Sequence, residues 1–371
     1  MIHKFLLCIS IFFTIHICSL QAQVKDAYFQ QGLQLFKLGR FSQAAESFDK
    51  VISANPKSGE AYYYRGASYL YIKDFEKAGK DLLQAEKLDK KNPEILLHLG
   101  YFYNETGNYK KAINYFNKAI VLNPALAAAY NARGFSNQRL GQFRAALQDY
   151  SLAIKTDSNF TLAYNNRGSA IYYNQDVAEP SKQDIKLAIK DFAKALKLEP
   201  TFCLARRNIG LAYSFLEEYD SAITELTMAT ECEPQNALNY LLRGTIKSKS
   251  ENYTEALDDY TKALELKPDF GDVYLEMGLA KAYLGFKEEA ITDLQNAIDL
   301  DEKFTVRAWY GMAVAAAKSS DKTNMMRNLE AIRKKGYFSK QQNVDKFQKE
   351  KAFKQFANDK EFKDFVAKLK A

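Results

Sequence analysis

Histidine is almost missing: His3, His16 and His98 are the whole supply in 371 residues. Tryptophan occurs once, at Trp309, and cysteine four times. Glycine, at 17, and proline, at 7, are too few for a loop-rich or sandwich-type chain. A histidine-dependent triad, a histidine-bound metal or a cysteine-ligated cluster therefore has little to be built from. No glycine-rich nucleotide loop is found, and no His/Cys group has metal-ligand spacing, so no cofactor and no metal is expected. Apolar residues make up 47 % of the chain and aromatic residues 13 %, which excludes a disordered protein.

Charge of one sign is also missing from the main body. Residues 305–371 hold 16 Lys/Arg against 7 Asp/Glu, and residues 1–22 hold Lys4 alone. With a total of +7, residues 23–304 are slightly acidic. A nucleic-acid binder needs a basic stripe along its body, so nucleic acid is not an expected partner.

The start of the chain reads as an export signal. Met1-Ile-His-Lys4 is short and basic, Phe5–Leu20 is mostly apolar, and Leu20-Gln21-Ala22 precedes a polar stretch. Cleavage is expected after Ala22, leaving a chain with no transmembrane segment. Sixteen residues are short for a bilayer span, which needs roughly 20. A retained anchor is the competing reading. Lipid attachment at Cys18 is disfavoured by the bulky Ile17. The expected location is periplasmic or extracellular.

The rest of the chain is periodic. Gly recurs at 32, 66, 100, 134, 168, 210, 244 and 278, in steps of 34 with one step of 42. Ala recurs at 44, 78, 112, 146, 188, 222, 256 and 290 with the same single offset, and Pro56, Pro124, Pro200, Pro234 and Pro268 keep the register. The extra eight residues fall between Gly168 and Ala188, around Asn174–Ser181. Each unit reads as two helices. Leu96–Tyr103 has apolar residues at helical spacing, Thr106–Tyr109 breaks it, and Ala112–Leu122 resumes it until Asn123-Pro124. Small residues at positions 8 and 20 of each unit let the two helices approach closely. Aromatics at positions 4 and 24, such as Tyr130 and Tyr150, are expected to fill the remaining core.

With those residues in place, the chain resembles the tetratricopeptide repeat family, most closely over Glu255–Pro268. Eight units are counted: 25–58, 59–92, 93–126, 127–160, 161–202 with the insert, 203–236, 237–270 and 271–304. Residues 305–371 are expected to add an incomplete ninth unit, opening near Trp309, and lysine-rich capping helices. The resemblance implies an all-α, right-handed α-solenoid of helix-turn-helix units, and a concave groove lined by positions 2, 5, 6, 9, 12 and 13 of the first helices.

Those positions are aromatic near the N terminus, with Tyr63, Tyr64 and Tyr101. They turn polar in the middle, with His98, Asn131, Arg139, Asn165, Asn166, Arg207 and Asn208. An amide both donates and accepts, so it can pair with a peptide backbone. The expected function is an exported, non-enzymatic scaffold that binds a peptide or helix of a partner protein in the groove, with Asn131, Asn165, Asn208 and Arg207 as polar anchors. The alternative is a module for a non-protein envelope ligand, such as a glycan or cell-wall fragment. The family's carboxylate-clamp set of basic and amide residues does not occur in any three consecutive units. Arg65, Arg133, Arg167 and Arg243 recur at position 7 and read as structural, reaching a carbonyl or carboxylate at the rim. Cys203 and Cys232 lie at the same end of one helical pair, which permits a disulfide or two separate thiols.

Overall fold

The computed structural model describes residues 26–174 and 180–369. The expected export signal lies outside them, as do residues 175–179 of the insert. Among the described residues no strand occurs, and no helix is long and apolar enough to cross a membrane.

The chain divides into two compact units, one ending at Asp184 and one beginning at Ile185. The first contains helical residues 26–37 (α1), then α2 (Phe41–Ala54), α3 (Gly59–Tyr71), α4 (Phe75–Leu88), α5 (Pro93–Glu105), α6 (Tyr109–Leu122), α7 (Ala127–Arg139), α8 (Phe143–Thr156) and α9 (Thr161–Tyr172). The second holds nearly all of α10 (Lys182–Leu198), then α11 (Cys203–Phe215), α12 (Tyr219–Cys232), α13 (Ala237–Lys249), α14 (Tyr253–Leu266), α15 (Gly271–Leu284) and α16 (Lys287–Leu300). It ends in α17 (Thr305–Lys318), α18 (Lys322–Lys334), α19 (Gln341–Lys349) and α20 (Lys360–Lys368).

Local chemistry sets the helix ends. The side chain of Asn92 accepts from Glu94 N at 3.0 Å and Pro93 opens α5, where its missing N–H costs nothing. Asn108 caps α6 by accepting from Lys111 N at 3.2 Å. Ser181 and Asp184 cap the start of α10 reciprocally. Among the described residues, the turn inside a pair takes a left-handed residue: Gly107 has φ +76° there, and Lys73 takes φ +62° at the equivalent place.

One contact repeats in both compact units. A Cβ built on Gly134 would stand 2.8 Å from the Tyr150 ring, and one on Gly278 would stand 2.7 Å from Leu294 Cγ. Gly66 meets Leu82, Gly210 meets Leu226 and Gly244 meets Tyr260, always sixteen residues on. The second helix therefore lies on bare backbone of the first. All eight position-20 alanines are fully buried beside this crossing. The position-24 residues Phe48, Phe116, Tyr150, Phe192 and Tyr260 are fully or almost fully buried.

The position-4 aromatics are different. Tyr62, Tyr130, Tyr164, Tyr240 and Tyr274 are half-buried rather than core, and in the first four a guanidinium lies over the ring. At the C-terminal end, Tyr310, Phe338, Phe347, Phe353, Phe362 and Phe365 form one core with Met325 and Leu329. The cap thus buries the last apolar face of α17 and α18.

Gly134→Ala is expected to destabilise the chain by about 1–3 kcal/mol through overpacking against the fully buried Tyr150, despite alanine's better helix propensity. Thermal unfolding of the variant measures this. A raised midpoint would mean that the ring yields.

Candidate functional site

The arginines at position 7 tie helices together. Arg65 Nε and Nη2 donate to Asp81 Oδ2 and Oδ1 at 2.7 and 2.9 Å, and its Nη1 reaches Asp49. Arg133 grips Asp149 through Nε and Nη2, while its Nη1 donates to Asn117 Oδ1 at 2.7 Å. Arg243 grips Asp259 and sends Nη1 to Thr227 Oγ1 at 3.3 Å. Each bonded aspartate lies sixteen residues on, in the same pair, and each second partner sixteen residues back, in the preceding pair. Arg167 likewise reaches sixteen residues back, donating to Ser151 Oγ at 3.2 Å. The same guanidiniums stack over Tyr62, Tyr130, Tyr164 and Tyr240 at 5.4–5.9 Å. The partner is a carboxylate, and it is buried: the side chains of Asp81, Asp149 and Asp259 are 4–6 % exposed. These arginines and aspartates are thereby committed to holding the repeats together.

The remaining face of the first helices differs between the two compact units. In the first unit it is an aromatic lattice. Phe36 packs edge-on to Tyr64 and Tyr71 at 5.5 and 5.8 Å, Phe41 stacks on Tyr71 at 4.4 Å, and Tyr63 meets Tyr64 and His98 at 4.8 and 5.1 Å. His98 also packs edge-on to Tyr101 at 5.6 Å. Tyr71 keeps 52 % of its surface exposed, and Phe135 and Tyr173 are exposed too. His98 is buried. Its Nδ1 lies 2.9 Å from Glu94 O and 3.3 Å from Tyr63 Oη, so Nδ1 carries the proton that the carbonyl accepts. Burial holds the imidazole pKa below its ordinary value, and burial holds the Tyr63 and Tyr101 hydroxyls protonated.

The amides of this face are largely drawn into the protein. Asn131 is 7 % exposed and Asn165 2 %. Asn166 Nδ2 donates to Asn131 Oδ1 at 3.0 Å, joining α9 to α7. Arg139 is exposed, with its guanidinium over the Tyr109 ring and Nε donating to Tyr109 Oη at 3.1 Å. In the second unit Arg207 is half-buried, donates to Asn239 Oδ1 at 3.2 Å and lies 3.7 Å from Glu233; Asn208 is half-buried. Asn131, Arg139 and Arg207 thus find Asn166, Tyr109 and Asn239 in a neighbouring helical pair, which a position-by-position reading of single units does not consider. Cys203 and Cys232 are joined in a disulfide with Cα atoms 5.9 Å apart, linking the start of α11 to the end of α12.

Models of the tetratricopeptide repeat match residues 29–93, 100–141, 237–270 and 275–324, together about half of the chain. The chain is built of tetratricopeptide repeats. A tetratricopeptide repeat protein from Parabacteroides merdae is similar in structure, with TM-score 0.52, 18 % identity, and 70 % of this chain and 98 % of that one covered. The Pseudomonas aeruginosa pilF protein gives TM-score 0.51 at 16 % identity, over 62 % of this chain and 99 % of that one. A chain of the APC/C hetero-tetramer Cut9–Hcn1 gives 0.58 at 18 % identity, over 78 % and 55 %. At these identities the likeness is one of fold. No curated protein sequence matches significantly.

Two outcomes follow for these tetratricopeptide repeats. Arg65→Met strands the buried Asp81 and is expected to cost about 3 kcal/mol, most of which Asp81→Leu in the same chain restores. Denaturant unfolding of the single and double variants measures both, and an unchanged single variant would contradict the pairing. His98 is the one histidine among the described residues, and its folded pKa lies below its ordinary 6.5. Below that value the unfolded chain binds a proton that the folded chain refuses, so stability falls as pH falls. Thermal scans from about pH 7.5 to about pH 5 should show this loss, and His98→Gln should reduce it.

Proposed function

We propose that the chain is an exported, non-catalytic adaptor that captures a segment of a partner protein on the face formed by its first helices. The observation that carries this reading is the aromatic lattice of the first compact unit, where Tyr71, Phe135 and Tyr173 stay exposed on or at the ends of first helices. Tyr71 packs on Phe36 and Phe41 and still leaves about half of its surface open, above a crossing filled by positions 8, 20 and 24. Rigid aromatic rings offer large contact area at low ordering entropy, as anchors for a ligand's apolar side chains. Asp81, Asp149 and Asp259 are held by the position-7 arginines, and burial lowers the pKa of His98. The export part of the reading rests on residues 1–22 of the sequence, and locates the adaptor in an envelope or extracellular assembly.

The anchors differ from those expected on sequence grounds. Asn131 and Asn165 serve the repeat stack, so their replacement bears on stability before it bears on binding. Exposed rings take their place. The test is a display of short peptides over the full chain, followed by anisotropy with the peptides that bind. Tyr71→Ala with Phe135→Ala is expected to weaken capture at least about tenfold while helicity and melting are retained. Undiminished peptide binding in that variant, or displacement by oligosaccharide and not by peptide, would reject the reading.

A further inference from the structure

The aromatic face of the first compact unit holds a carboxylate with no cation to answer it. Glu94 lies in the first turn of α5 and is half-buried. Its side chain closes no ion pair or hydrogen bond among the described residues. Burial raises its carboxyl above the ordinary value, and no cation acts to lower it. The helix dipole favours an acid in a first turn. It gives no reason for that acid to be drawn out of water among tyrosines, where an unpaired charge is costly.

Tyrosine oxygens gather around this carboxylate. Burial, then Glu94, Tyr64, Tyr71 and Tyr101, holds the Tyr63 hydroxyl protonated. Burial, then Tyr71 and Glu94, does the same for Tyr101. The hydroxyls of Tyr63, Tyr71 and Tyr101 and the carboxylate of Glu94 therefore face one another. His98 joins the Tyr63 and Tyr101 rings from below. Phe41 covers one side of the Tyr71 ring at 4.4 Å, and half of that residue's surface stays open.

Elsewhere in the same unit a tyrosine ring carries a cation of the chain itself: Arg65 lies over Tyr62, Lys111 over Tyr103 and Arg139 over Tyr109. Arg65 also grips Asp81, so ring, guanidinium and carboxylate form one set. Around Glu94 the rings and the carboxylate recur without a guanidinium. The charge pattern agrees with this. Position 2 is acidic in the first three units, at Asp26, Glu60 and Glu94, and then becomes Ala128, Leu162, Leu204 and Leu238. The carboxylates thus accompany the tyrosine-rich part of the face and stop where it turns polar. Of the basic residues at facing positions nearby, Lys37 is exposed at the end of α1 and Arg139 is engaged by Tyr109.

We propose that this part of the face is a subsite for an arginine of the partner segment, whose guanidinium pairs with Glu94 and lies against the tyrosines around it. Glu60, exposed in the first turn of α3, adds negative charge from the neighbouring pair. Arginine suits the place better than lysine, because its planar group stacks on rings and gives up water more easily. The inference rests on the reading that protein segments are captured on the first helices, and adds what this end selects.

The test uses the full chain and two fluorescent peptides, acetylated and amidated at their ends, one of Leu, Ser and Arg and the other with citrulline for every Arg. The Arg peptide should bind about tenfold tighter than the neutral one, and added salt should shrink that advantage. Glu94→Gln should remove most of the preference while the melting temperature is retained, since the carboxylate has no partner in the chain to lose. Glu76→Gln takes the same charge from the first turn of α4, a second helix, and should leave the preference intact. Equal affinity for the two peptides, a preference that survives Glu94→Gln, or one that falls equally with Glu76→Gln overturns the subsite and leaves capture on the aromatic face standing. If neither peptide binds while displayed peptides still bind through Tyr71 and Phe135, the subsite alone falls. If no peptide of any kind binds, both readings fall.

Discussion

Everything in this chain depends on one helix lying against the bare backbone of another. In seven of the pairs the contact runs from the glycine at position 8 to the residue sixteen places later, and the missing side chain lets the partner's ring or isobutyl group sit on the backbone itself. Close packing of this kind tolerates little change in volume. The same offset carries the charge network, because position 7 and position 23 are the next residues along the two helices. A guanidinium that reaches its own aspartate therefore also reaches back to the preceding pair, as Arg133 does with Asp149 and Asn117. Cohesion within a pair and cohesion between pairs are thus delivered by adjacent residues, which suits an architecture whose stability is a sum over neighbours.

Because the crossing consumes one side of each first helix, the other side is released from packing and can vary. The two compact units use that freedom differently. The first spreads aromatic rings over it: Tyr63 meets Tyr64, His98 joins Tyr63 to Tyr101, and Phe36 joins Tyr64 to Tyr71. The second turns more aliphatic, and its far end is walled by the cap. A burial pattern that is uniform along the core therefore coexists with a surface that is not.

The helical pairs and their register could be read from sequence because glycine and alanine at fixed spacing have a single packing explanation. Helices α3, α5, α7, α9, α11, α13, α15 and α17 open at Gly59, Pro93, Ala127, Thr161, Cys203, Ala237, Gly271 and Thr305, in step with the repeat. The arginine network had a signal that went unused: units with Arg at position 7 also have Asp at position 23, as in Arg65 with Asp81 and Arg243 with Asp259. The bonding of the amides is not legible in the repeat pattern. Whether Asn131 is free depends on Asn166, a residue of the next pair, and hydrogen bonding between pairs does not show in the periodicity of one. The docking of the cap was illegible, since it needs Glu350 to meet Tyr283, sixty-seven residues away.

The disulfide has a consequence of its own. Helices α11 and α12 are connected at one end by their turn and at the other by Cys203–Cys232, so residues 203–232 form a closed covalent ring. A ring of that size restricts the unfolded ensemble by roughly 3–4 kcal/mol in the chain-entropy description. It also changes what damage means. A protease that cuts once inside the ring severs no fragment from the protein, because both sides of the nick stay tethered through sulfur. Fraying that advances along the stack meets there a segment whose strands cannot drift apart, and from which re-zippering can start.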